Sequence, residues 1–492
     1  MHLAEPTMNG GFRVHSVDSV RQPSSHVRSA MCLLHSGAMT ARPHTRALAQ
    51  HHRRDSMRCR AAVFFCLLVG PLCVACTPSA PPEAEKVSAT TAGLADSDLH
   101  DYQLQALETR VQQMPDGPER DYFSGMLAAR SGRFGDAVAQ LNRALPHLRE
   151  SAPKRAAMAL EAMATAYRAD NRYGDAARAY ADLSDHFADQ LDHFPADDAA
   201  LAQILRETPA QAISWHGPVK LKMSNNPIGS RDAEIVVNRV RAPWLLDTGA
   251  NQSVVSRTFA KRLGVTPLPG AAPVGSGVTG RQSSVQAAVL PTMQVGGATL
   301  TNVVLLVIDD ESLRIGSGRH AYQLNAILGY PVLKALGVIT FTRDEFLAGE
   351  TAGANGRGMR MYMRGLTPAI EGELDGRPLL FTFDTGASST DLSVRYYETF
   401  RAQTGSWKAE TMESGGAGGS SRNERFIQPR LVMTMGTSTV TLKDVPIFPV
   451  RMNSAIDVLF GNLGQDFVEG FESVSLNFST MTFSLGAPRS SR

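Results

Sequence analysis

The alternation of apolar and polar positions divides the chain into three stretches of different character. Ala61 to Ala75 form a continuous apolar run preceded by Arg58 and Arg60, too short to cross a bilayer comfortably. From about Asp101 to Trp215 the chain is dominated by Ala, Leu, Arg, Asp and Gln with little β-branching, which predicts α-helices. Beyond Trp215, short alternating apolar runs are interrupted by Gly, Pro and Asn, the pattern of an all-β region. Within it, residues 233–237 and 242–246 read as strands, and Ser256 as the cap of a short helix that stops at Gly264. Ser393 opens a second short helix, 394–400, with Gly405 beyond its end.

These β elements carry a repeat. Trp244-Leu245-Leu246-Asp247-Thr248-Gly249-Ala250 returns as Phe381-Thr382-Phe383-Asp384-Thr385-Gly386-Ala387, 137 residues later (384 − 247). Further correspondences follow in the same order. A glycine-rich tip from Gly275 to Gly280 parallels one from Gly415 to Gly419, each suited to a mobile hairpin; Gly277, Val278, Gly416 and Ala417 are its candidate substrate-covering residues. Residues 293–303 parallel 433–445, and Ile327-Leu328-Gly329 is matched to Leu459-Phe460-Gly461. Two loops with one local grammar predict two lobes of one fold, joined by the glycine-rich stretch 349–358.

The helical stretch has its own echo, Gly132-Arg133-Phe134-Gly135-Asp136-Ala137 against Asn171-Arg172-Tyr173-Gly174-Asp175-Ala176. It resembles a tetratricopeptide repeat, with an insertion needed to reconcile the period. That resemblance implies either a protein-binding arm or a helical spacer or cap, and the sequence leaves both open.

Composition narrows the chemistry. A formal charge of +2 over 492 residues gives no field that would favour nucleic acid. All five cysteines, Cys32, Cys59, Cys66, Cys73 and Cys76, precede the helices, and His320 is the one histidine after His216. A disulfide, a thiolate metal site, a cysteine nucleophile and a multi-histidine zinc site thus lack material downstream. No metal and no cofactor is expected.

Residues 1–56 read as disordered or as an over-extended start, since Met57 offers a second beginning directly before the charged and apolar stretch of an export signal. Leu72-Cys73-Val74-Ala75-Cys76 resembles the bacterial lipobox, which implies a lipidated Cys76 followed by a flexible tether, 76–100. An ordinary cleaved signal is the other reading. Lipidation would place the protein on the periplasmic side of the cell envelope, as an outer-membrane lipoprotein.

The paired motifs from about 218 to 486 resemble the aspartic peptidases of the pepsin and retropepsin clan, and the Ala after each Asp-Thr-Gly is closer to retropepsins. The resemblance implies a multidomain chain: a signal peptide at 57–75, an α-helical tetratricopeptide-like domain at 101–215, then an all-β bilobal protease with lobes at 218–348 and 359–486. It implies Asp247 and Asp384 as a catalytic pair acting on peptide or protein substrates, supported by Thr248 and Thr385 across the lobe interface and by Gly249 and Gly386, where backbone amides approach the carboxylates. Two carboxylates this close share a proton. Ala250 and Ala387 cannot donate the hydroxyl hydrogen bond that Ser or Thr would give, so a mildly acidic to near-neutral optimum is expected. The alternative is a catalytically inactive protease-like lipoprotein, a scaffold that binds envelope partners through its helical repeats.

Overall fold

The sequence folds, in a computed structural model that describes residues 83–275, 282–316, 321–352, 358–416, 419–451 and 457–489, into a helical layer followed by a β-rich body. Cys76, Gly277, Val278 and Ala417 lie outside the described residues, as do the signal stretch and residues 1–56. Among the described residues, seven α-helices precede the first strand: Glu83–His100 (α1), Leu104–Gln113 (α2), Pro118–Arg130 (α3), Phe134–Ser151 (α4), Pro153–Ala169 (α5), Tyr173–Phe187 (α6) and Ala196–Ile204 (α7). Proline at the first position of α3 and α5 is pre-set for helix and sacrifices no hydrogen bond there. The two echoed segments open α4 and α6. Each follows a left-handed residue, Gly132 at φ +69° and Asn171 at φ +56°, which turns the chain back on itself. Gly125 lets α3 approach α4 closely, because a Cβ there would stand 2.6 Å from Leu141 Cγ.

Two expectations about boundaries are corrected. The stretch read as a flexible tether, 76–100, contains α1, whose Ala92, Ala95 and Leu99 are buried against the following helices. Its buried face is mostly alanine, so the apolar stripe is too faint to stand out from a linker composition. The helical segment also ends before residue 215, since Ala212–Trp215 is a strand paired antiparallel with Ala298–Thr301 of the first lobe.

Each lobe repeats one arrangement. In the first, Arg231–Val237 and Val240–Leu246 form a hairpin, Ser253–Ser256 leaves the Asp-Thr-Gly loop, and the long hairpin Gln282–Val295 with Ala298–Ile308 closes the sheet. Ala326–Leu328 then runs between the strand entering the loop and the strand leaving it, parallel to one and antiparallel to the other. In the second lobe Thr367–Leu374, Arg377–Phe383, Asp391–Leu392, Gly419–Met435 with Ser438–Ile447, and Gly461–Leu463 take the corresponding places. Both lobes contribute to a shared antiparallel sheet in the order 219–225, 345–348, 338–342, 473–477, 482–485 and 359–364. At its centre Thr340 pairs with Ser475, and their hydroxyls lie 2.7 Å apart. Of the stretch 349–358, Gly349–Ala352 is a short 3₁₀ turn packed on this sheet, and 353–357 lie outside the described residues.

The helices are seated on the β-body. Lys334 Nζ donates to Ala169 O at 2.8 Å and to Asp170 Oδ1 at 2.6 Å, and Gln105 donates to Glu371 at 2.9 Å. Tyr173, Leu201 and Leu205 share an apolar cluster with Leu245, Val254 and Ile327 of the first lobe.

Glycines at close and open positions should respond oppositely. A Cβ on Gly329 would meet Gln252 O at 2.5 Å, whereas one on Gly93, mid-helix, meets nothing within 4 Å. Gly329→Ala should lower stability by about 2–4 kcal/mol and Gly93→Ala should raise it by up to about 1 kcal/mol, as read from thermal or urea unfolding midpoints; equal shifts would contradict the threading of the strand beneath the loop.

Candidate active site

Both Asp-Thr-Gly loops are anchored from below by the strand that threads each lobe. Asp247 N donates to Leu328 O at 3.1 Å, and Asp384 N to Leu463 O at 3.0 Å. Gly329 and Gly464 then pass under the loops, where a Cβ on either would come within 2.5 Å of the backbone of Gln252 or Ser389. The second triplet is therefore Asn462-Leu463-Gly464, not Leu459-Phe460-Gly461 as matched from sequence. Asn462 occupies the place of Ile327, so the apolar-apolar-Gly pattern falls three residues too early in the second lobe.

The loops lock onto each other through their threonines. Thr248 Oγ1 donates to Phe383 O at 2.8 Å and accepts from Thr385 N at 3.0 Å. Thr385 Oγ1 donates to Leu246 O at 2.7 Å and accepts from Thr248 N at 3.1 Å. Both side chains are buried, so every donor and acceptor in this crossed set depends on the other lobe.

That lock brings the two carboxyl groups face to face. Asp247 Oδ1 accepts from Gly249 N at 2.8 Å and Ala250 N at 3.0 Å; Asp384 Oδ1 accepts from Gly386 N at 2.8 Å and Ala387 N at 3.2 Å. A Cβ on Gly249 would stand 2.5 Å from Asp384 Cγ, and one on Gly386 2.4 Å from Asp247 Cγ. Glycine is required at both positions for the opposing carboxylate to approach. Burial pushes the Asp247 carboxyl well above the usual carboxylate range, and the charge and hydrogen bond of Asp384 push it further, against the two backbone donors.

Several neighbours were not identified from sequence. Gln465 Nε2 donates to Thr385 O at 2.6 Å, and Ser230 Oγ to Gly386 O at 2.7 Å. Asn462 Nδ2 donates to Asp384 Oδ2 at 3.2 Å, and Thr382 Oγ1 donates to Asn462 Oδ1 at 2.7 Å. Asp391 pairs in register with Asn462 on the next strand. Burial pushes its carboxyl up to about 7; Arg425 opposes the rise, while Asp384 and Asp466 add to it. The available signal was polarity in strands that are apolar in the first lobe. On the first-lobe side, Gln252 donates to Tyr173 OH at 3.3 Å, which ties α6 to the loop region.

Of the residues expected to cover the substrate, Gly416 lies at the end of strand Lys408–Gly416 and pairs with Gly419, and its neighbour Ala417 is outside the described residues. Gly277 and Val278 are also outside, but the strands leading to them pair at Gly275 and Gln282. Among the described residues, no group of three or more His, Cys, Asp or Glu is placed to hold a metal ion.

Two lobes of one topology, meeting at a pair of Asp-Thr-Gly loops, define a protease-like β fold. Residues 233–332 match the family model described as Aspartyl protease, a stretch that runs from the first hairpin past the first threading strand. The comparison with curated proteins found no match.

Two measurements probe this arrangement. Thr385→Val removes one donor and one acceptor from the crossed set and strands buried backbone groups. It should cost about 2–3 kcal/mol, while Thr385→Ser, which keeps the hydroxyl, should cost far less; equal losses in urea midpoints would contradict the lock. For Asp391, the folded-state value near 7 lies above the unfolded one. Its proton therefore favours the folded state at low pH, and this contribution is lost as pH rises from about 4 through 7. Melting curves of the natural chain should fall relative to those of Asp391→Asn across that window, by at most about 4 kcal/mol; parallel curves would contradict the burial of this carboxyl.

Proposed function

We propose that the β-body is an aspartic endopeptidase that hydrolyses peptide bonds with a water activated between Asp247 and Asp384. The observation that carries this reading is the pair of carboxyl groups, each held by two backbone N–H groups and brought together by crossed threonines. One proton is shared between them. The ionised partner can draw a proton from water while the protonated one polarises the substrate carbonyl, so water attacks directly and no covalent enzyme intermediate is needed. Metal and cofactor play no part in this mechanism. The strand pairs that end at Gly275 with Gln282 and at Gly416 with Gly419 border the segments expected to cover an extended peptide.

The proposal extends to where the enzyme works. The charged and apolar stretch ending at Cys76 supports export and lipid attachment, which would hold the body at the periplasmic face of an envelope membrane, with the tetratricopeptide-like helices offered to a protein partner. Labelling with a radioactive fatty acid that is lost in Cys76→Ser tests this part; an unlabelled natural chain would contradict it.

Catalysis is tested with unfolded protein and peptide libraries. Asp247→Asn and Asp384→Asn should each lower cleavage by about 10²–10⁴-fold, and unaltered cleavage in either would reject a shared pair. The raised Asp247 carboxyl, together with the missing hydroxyl donors at Ala250 and Ala387, supports a mildly acidic to near-neutral optimum. A maximum below about pH 3, under the reference value of a free Asp, would contradict it. No turnover on any library by a folded chain would favour the binding-scaffold alternative.

A further inference from the structure

We propose that Asn462 is a positioning residue that keeps the negative charge of the pair on Asp384 and leaves the shared proton on Asp247. The proposal rests on the peptidase reading above for its catalytic consequence, but the location of the proton can be measured without turnover.

The two lobes align residue by residue around the carboxylates, and the alignment exposes one polar substitution set. In the first lobe Leu245, Ile327 and Val254 lie side by side on three adjacent strands, with Ile327 in register with both others. In the second, Thr382, Asn462 and Asp391 take those places, with Asn462 in register with both others. Strand alternation puts Leu245 on the face of Asp247 and Thr382 on the face of Asp384. The first set is covered by Tyr173, Leu201 and Leu205 and offers Asp247 no side-chain donor. The second set delivers one to Asp384.

The direction of that donor follows from the hydrogen bonds. Asn462 Oδ1 lies 2.7 Å from the Thr382 hydroxyl, and Nδ2 lies 3.2 Å from Asp384 Oδ2. The Thr382 hydroxyl has one proton and two acceptors in reach, Asn462 Oδ1 at 2.7 Å and Gly461 O at 3.2 Å; the shorter contact takes it, so the amide presents N–H to the carboxylate. Among the described residues, Asp384 then has three donors on its two oxygens, against two on Asp247. A donor favours the charged form of its acceptor, so with one proton between two carboxyl groups the charge settles where the third donor is.

Other ionisable groups around Asp384 do not reverse this. Asp247 faces it from the other loop. Asp391 stands beyond Asn462 on strand Asp391–Leu392, largely protonated below about 7, with Arg425 on strand Gly419–Met435 nearby. Asp466, on the short helix Gln465–Glu469, is occupied by Thr390 N at 2.7 Å and Thr390 Oγ1 at 2.8 Å.

The assignment gives the reaction a direction. Water loses a proton to Asp384 as its oxygen bonds to the peptide carbon, and Asp247 gives its proton to the carbonyl oxygen, forming a gem-diol. When this collapses, Asp384 passes its proton to the leaving nitrogen, a gem-diol hydroxyl returns a proton to Asp247, and the C–N bond breaks. All protons are accounted for, and both residues regain their starting states.

The test uses the chain from Thr77 with ¹³Cγ-labelled aspartate, the two signals being assigned with Asp247→Asn and Asp384→Asn. In the pH range where the pair holds one proton, Asp384 should give a carboxylate shift and Asp247 a carboxylic-acid shift. Asn462→Leu, which imitates the apolar first-lobe arrangement, should draw the two shifts together. It should also move the acid limb of kcat/KM upward by about one pH unit with little change in KM. Thr382→Val, which frees the amide to rotate, should shift both readouts the same way by less, and serves if the first variant does not fold. A proton found on Asp384 in the natural chain, or two signals unmoved in a folded variant, would overturn the proposal. Absence of turnover in the natural chain would reject the peptidase reading while leaving the proton assignment legible in the spectra.

Discussion

Two half-buried carboxyl groups repel each other once both ionise, and something must hold them together against that repulsion. The crossed threonines do so. Thr248 and Thr385 each bond the backbone of the opposite lobe, so the loops cannot separate without breaking four buried hydrogen bonds at once. The threading strands fix each loop from below, and the shared six-strand sheet fixes the lobes relative to one another. The elevated carboxyl of Asp247 is the electrostatic cost of this arrangement, and chemistry follows from it.

Approximate symmetry explains how the site is built, and departures from symmetry explain how it can work. A perfectly symmetric pair would have no preferred location for a single proton. Here the first lobe backs its aspartate with Leu245, Ile327 and Val254, packed under the helices, while the second backs its own with Thr382, Asn462 and Asp391. The helical layer takes part in this difference, because Tyr173 bonds Gln252 and covers the apolar set on one side.

Most of the β-body was legible in the sequence, because glycine and aspartate in a repeated loop carry strong local constraints. The caps at Ser256 and Ser393 accept N–H bonds as the helix grammar predicted. Less legible were features that depend on contacts between distant segments. The mispairing of the second glycine triplet came from expecting apolar residues where Asn462 serves the carboxylate. Helix α1 was missed because a face of small alanines looks like linker until the helices it packs against are known, and strand 212–215 because its partner lies some ninety residues on. Gln465 and Ser230, which brace the loops through backbone carbonyls, leave no trace in local pattern at all.

The central claim is that Asp247 and Asp384 form one site within one chain. A calorimetric titration with a peptide carrying a statine-type hydroxyl in place of the scissile bond measures this most directly, since that hydroxyl must sit between both carboxyl groups. One molecule bound per chain, with affinity falling as pH rises and the shared proton is lost, is the predicted result. No binding by the folded chain, or one molecule for every two chains, would contradict it.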